Sequence, residues 1–185
     1  MSTIDILTVF NSGNFPSNTP NFTTPAGSNS LTYSNNNYVR MLSFSDQVSN
    51  NGAWDLHITA NAGDEIRWLD TTEAQGDDGT DMIIYDFKVS DTTTWNKYLS
   101  ALESFEIHSP RFYISSGFQT ANPKFQYNTS PNNLLKTSVI AAPTTADVTL
   151  SYYLKVVKLK IGANGSPEVV GAYGIDPKIT IKKSS

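Results

Sequence analysis

The chain has 185 residues, 38% of them hydrophobic and 16% charged, with a formal net charge of −4, two histidines and no cysteine. This is enough apolar material for one core, so residues 1–185 are expected to form a single domain. Lack of cysteine excludes disulfides, thiolate metal sites and cysteine nucleophiles and suits a reducing cytoplasm, while no basic run longer than Lys182-Lys183 leaves no footprint for nucleic acid.

Residues 4–10 (IDILTVF) are β-branched and aromatic and stop at the turn composition Asn11-Ser12-Gly13-Asn14. With no basic region and no small-residue cleavage site, this start reads as a first strand and not as a signal peptide. The following stretch to Asn37 is rich in Asn, Ser, Thr, Pro and Gly, and a short strand is expected within it near residues 30–33. Residues 38–44 (YVRMLSF) and 54–60 (WDLHITA) both alternate, and the Asn50-Asn51-Gly52 turn between them predicts a hairpin. In the second of these, Trp54, Leu56, Ile58 and Ala60 share a face.

A tight turn at residues 61–64 leads to residues 65–69 (EIRWL), with Ile66 and Trp68 on one face. An acidic loop, residues 71–81, precedes a strand over residues 82–89. Asp91 and three threonines then open a short helix, expected near residues 92–102, with Trp95, Tyr98, Leu99 and Leu102 at helical spacing. Residues 105–118 read as a weak strand, residues 120–133 as a polar loop, and residues 134–142 as an apolar segment ending at Pro143. Residues 146–161 are the longest β signal, and the uneven spacing of Lys155, Lys158 and Lys160 predicts a bulge, bend or sheet edge near Val156 and Val157. A turn at residues 162–165 and strands over residues 169–173 and 178–181 close the chain. The sum is an all-β fold, an antiparallel β-sandwich or jelly roll with one short helix. No stretch approaches the ~18 apolar residues of a membrane-spanning helix.

Candidate chemistry is thin. His57 and His108 are the natural general bases, yet each falls in a strand-like segment without a motif, where a solvent-facing position accounts for it. No G-x-S-x-G elbow is present, so a hydrolase triad has no local sign. Asp70, Glu73, Asp77, Asp78 and Asp81 form the densest acidic cluster. Asp77, Asp78 and Asp81 are its candidate calcium ligands, although a solvated surface loop needs no ion to justify it. Tyr33, Tyr38, Trp95 and Tyr173 are candidates for a ligand surface, since a sugar ring stacks on an aromatic face. Core packing is the competing account of the same residues.

Three stretches taken together, residues 2–9 (STIDILTV), residues 63–68 (GDEIRW) followed by Ile84-Tyr85, and residues 171–181 (GAYGIDPKITI), resemble the bacterial AidA/PixA inclusion body proteins from end to end of the chain. The resemblance implies a small cytoplasmic protein that accumulates in inclusions or under population-density control, a family for which no enzymatic activity is established. The shared motif looks structural: Gly63-Asp64 for a turn, Ile66 and Trp68 for a core face, Tyr85 in the next strand, and Asp176-Pro177 to set the last strand. Arg67, on the other face, is expected to pair with Asp176 or Asp64. The chain departs from the methionine-rich PixA branch in having three methionines, and its loop over residues 71–80 is longer and more acidic. The first functional expectation is a noncatalytic protein that self-associates through edge strands or aromatic patches. The alternative is a carbohydrate-binding module or lectin that uses exposed aromatics and a calcium-binding acidic loop.

Overall fold

The computed structural model describes residues 1–16, 36–72, 79–116 and 124–184. The strand expected near residues 30–33 lies outside them. Two sheets face each other across a shared core, as the all-β sandwich expectation requires, and they do not close into a barrel. The first sheet has the order β2 (Val39–Leu42), β1 (Thr3–Phe10), β5 (Glu65–Thr72), β8 (Lys124–Ser138), β7 (Glu103–Ser116). The second runs β10 (Pro167–Ile175), β9 (Val148–Ile161), β11 (Lys178–Ile181), β4 (His57–Ala60), β3 (Val48–Ser49), with β6 (Thr80–Val89) along the other side of β9. Most pairs are antiparallel, but β1 with β5 and β4 with β11 are parallel.

Strict alternation is what makes these strands half-buried. In β1, Ile4, Ile6 and Phe10 face inward; in β5, Ile66 and Trp68; in β9, Leu150, Tyr152, Leu154 and Val156. The centre of the core is aromatic. The Tyr152 ring stacks on Phe87 with centroids 4.6 Å apart, and Trp68 and Trp95 meet it edge-on. Trp68 Nε1 donates to the Tyr152 hydroxyl over 3.0 Å, which satisfies two polar tips while their rings stay dry. Burial pushes the Tyr152 hydroxyl well above the usual phenol range.

Four expectations are corrected. Residues 38–44 and 54–60 do not form a hairpin: β2 pairs with β1, whereas β4 pairs with β3 and β11 in the opposite sheet. The helix α1 spans Thr92–Tyr98 and not residues 92–102. Asp91 caps it by accepting from Thr93 N and Thr94 N, and it ends because Leu99 turns extended to bridge Val139. The polar residues 120–133 are largely strand β8. From Asn133 outward β8 pairs, among the described residues, with β7 alone, and its polar composition with Pro131 reads locally as loop although the pairing makes it strand. Finally, β9 is not an edge. It has β6 on one side and β10 and β11 on the other, and the irregularities fall in its neighbours, at Ile84/Asp86 of β6 and Val169/Gly171 of β10. Lys158 of β9 is buried and donates to the carbonyls of Ser12 and Phe15 over 2.9 and 3.0 Å, which holds the short 3-10 turn Ser12–Asn14 against the sheet.

Candidate functional site

The residues 63–68 motif sits where the first sheet begins. Gly63 has φ +91°, a conformation that favours glycine, and it turns the chain into β5. Asp64 is buried, with Oδ1 accepting from Ser2 N at 2.8 Å and Oδ2 from Gln47 Nε2 at 2.7 Å and Asn61 N at 2.9 Å. One carboxylate thus ties the N-terminus of β1, the turn and the segment just before β3. Burial pushes its pKa up, but the hydrogen bonds from Gln47, Asn61 and Ser2 prevail and hold it at about 2.

Arg67 does not pair with Asp176 or Asp64. It lies on the outer face of β5 and grips Asp5 of β1, its register partner, through Nε at 2.6 Å and Nη2 at 2.8 Å, with Glu65 3.8 Å away. The Asp5 hydrogen bond raises the guanidinium pKa against a small opposing effect of burial. Asp5 was missed because a parallel neighbour sixty-two residues away leaves no local trace. Asp176 stands on its own: among the described residues its Oδ1 is buried without a hydrogen-bond partner, and burial raises its pKa. Pro177 is buried behind it, and its carbonyl accepts from Tyr152 N at 3.3 Å.

The aromatic ligand surface is not assembled. Trp95 and Tyr173 are each only 3% exposed and belong to the core. The Tyr173 ring lies where a Cβ on Gly171 would collide with it, and its hydroxyl donates to the Pro16 carbonyl. Tyr38 is partly buried against Phe15, with ring centroids 5.3 Å apart. Tyr33 lies outside the described residues. The two histidines are in different sheets: His57 Nε2 is 2.6 Å from Thr180 Oγ1, and exposed His108 is 2.9 Å from Glu106.

Among the described residues, an open cleft runs along β6, bordered by residues of β5, β7 and β8. One part, of about 530 Å³, is lined by Asp70, Thr72, Asp81, Ile83, Glu106 and Asn132. A second, of about 370 Å³, shares Ile83 and continues past Tyr85, Leu102 and Leu135. The polar groups here are engaged with backbone. Asp70 Oδ2 accepts from Ile84 N at 2.6 Å, Thr72 Oγ1 and Asp81 Oδ1 both accept from Met82 N at 2.8 Å, and Asp86 Oδ1 accepts from Phe87 N at 2.7 Å. They cap the outer N–H groups of an edge strand, which blocks strand addition there. Burial raises the pKa of Asp70, and the charge of Asp81 adds to it. Asp77 and Asp78 lie outside the described residues, and among those described no three metal-ligating side chains converge.

Comparison with known proteins decides the affiliation. The family model described as PixA, inclusion body protein, matches residues 2–181. The chain belongs to the PixA family. A solved PixA-family structure, the inclusion body protein from Burkholderia cenocepacia J2315, superposes with a TM-score of 0.64 at 14% identity, covering 99% of this chain and 96% of that one. The two share a fold. No curated protein shows significant similarity to the chain. Within this PixA-family fold the signature residues do structural work: Gly63 turns the chain, Asp64 ties three segments, Trp68 fills the core and Arg67 clasps a neighbouring strand.

Proposed function

We propose that this PixA-family protein is noncatalytic, accumulates in the cytoplasm and associates with copies of itself. The observation that carries this reading is the use to which the family signature is put. Two of its polar members hold turns and strands together, with Asp64 buried under three donors and Arg67 closed on Asp5. A low charge density and a modest net charge ease association, most of all near the pI of 5.0.

The carbohydrate-binding alternative loses two of its four aromatics, Trp95 and Tyr173, to the core. The proposal therefore includes neither a glycan nor calcium. Its test is fractionation of cells making the protein at native level, with the pellet dissolved by a pH shift and returned to neutral pH under light scattering. Reversible assembly of folded protein is expected. Soluble, monodisperse protein at every concentration would overturn the reading.

A further inference from the structure

The outer face of the first sheet carries side chains that the core does not explain. In β1, and in β5 as far as Trp68, every second residue is buried, and the solvent side of such a sheet is ordinarily polar. Here Leu42 stands opposite Leu7, Leu7 beside Leu69, Leu69 opposite Leu134, and Leu134 opposite Phe105. One apolar row crosses all five strands. Leu7 is 37% exposed, and Leu42 and Phe105 are each 42% exposed. Two residues beyond Leu42, Phe44 is fully exposed. Single exposed leucines are ordinary, but a continuous strip marks a contact surface.

A parallel row on the same face is charged. Asp5, Arg67, Lys136 and Glu103 are cross-strand neighbours in that order. With Glu65 they are paired within the chain, three acids to two bases: Arg67 is 2.6 Å from Asp5, and Lys136 is 3.5 Å from both Glu65 and Glu103. Lys136 Nζ also lies 5.1 Å from the centre of the Phe105 ring, which joins the two rows. A row so nearly balanced, with one net negative charge, calls for no strongly charged partner. It suits one that presents the same pattern. A two-fold axis along the apolar row lays that row on its own copy and carries the two charged rows to opposite rims, so like charges do not meet.

The footprint sets the strength of the contact. Strand spacings of about 4.8 Å and rises of about 3.3 Å per residue make this face roughly 19 by 26 Å, or about 500 Å². Stable complexes use about 800 Å² per partner, so a reversible, concentration-dependent contact is the match.

We propose that the outer face of the first sheet packs against the same face of a second copy of this chain, with the row Leu42, Leu7, Leu69, Leu134 and Phe105 at its centre. This rests on the self-association reading above and names its surface. The test is sedimentation velocity on the full chain and on Leu7→Lys, Leu69→Lys and Phe105→Lys, with Ile161→Lys as an exposed control on the second sheet. Wild type and control are expected to gain mass with concentration, and the three row variants to need roughly tenfold more protein to do so. Far-UV circular dichroism and thermal midpoint should stay close to wild type. Should Leu69→Lys fail to fold, Leu7→Lys and Phe105→Lys, at more exposed positions, read the same face.

Row variants that associate like wild type would overturn this surface while leaving self-association standing. A wild type that stays monomeric throughout would remove the self-association reading, and this surface with it. A monomeric wild type that binds neutral lipid vesicles, with binding lost in Leu7→Lys, would overturn the second copy as occupant.

Discussion

The inner and outer sides of β5 are built from adjacent residues, yet they meet different physics. Inward, Ile66 and Trp68 are closed off from water, and Asp64 at the strand's start keeps its charge only because three donors replace the lost solvent. Outward, Arg67 makes two equally short contacts with Asp5, but both groups remain wet. The difference teaches that burial, and not contact geometry, ranks the residues of this motif: a buried partner cannot be replaced by water, and an exposed one can.

The largest break in that comparison is expected from Trp68→Ala. It removes the ring that packs on Tyr152 and Phe87 and leaves the Tyr152 hydroxyl without its donor, at a cost of roughly 3–5 kcal/mol, read as a lower urea midpoint. Asp64→Ala comes next, at roughly 2–3 kcal/mol, because the N–H groups of Ser2 and Asn61 and the Gln47 amide lose their shared acceptor.

The same carboxyl sets a pH dependence. Its ordinary pKa is 3.8 and its folded value is about 2, so the unfolded chain takes up the proton first. The resulting stability, about 2 kcal/mol, is fully present above the unfolded value and is lost as pH falls through the folded one. Thermal unfolding as a function of pH should show this acid limb in the wild type and a flatter one in Asp64→Asn. The smallest effect is expected from Arg67→Ala: an exposed pair of this kind contributes about 0.2–1 kcal/mol, and the loss should shrink further when wild type and variant are compared in high salt.

Much of the local structure was legible in the chain. Alternation identified the face shared by Leu56, Ile58 and Ala60 and the one shared by Ile66 and Trp68, all of them buried, because a strand's side chains point to opposite sides with period two whatever lies next to it. Glycine marked the turn at Gly63, and Asp91 marked the helix start. The family was also readable, because the stretches that carry the resemblance are short, local and ordered along the chain. Aromatics were not legible in the same way. Trp95 and Tyr173 have the composition of a binding surface as much as that of a core, and only their neighbours Phe87, Tyr152 and Phe15 decide between the two.

The sequence by itself determined the class of fold, the inward faces of residues 54–60 and 65–69, and the family. Tertiary structure alone decided which strands are neighbours. It set β2 and β4 in opposite sheets, made β1 and β5 parallel partners, ran β8 through a polar stretch, and brought Asp5 to Arg67. It also aligned Leu7, Leu42, Leu69, Phe105 and Leu134, from five separate segments, into one row on the outer face. The reason is physical: side-chain alternation is a property of one strand and is written locally, whereas register and partnership depend on contacts between residues far apart in the chain, which no window of sequence contains.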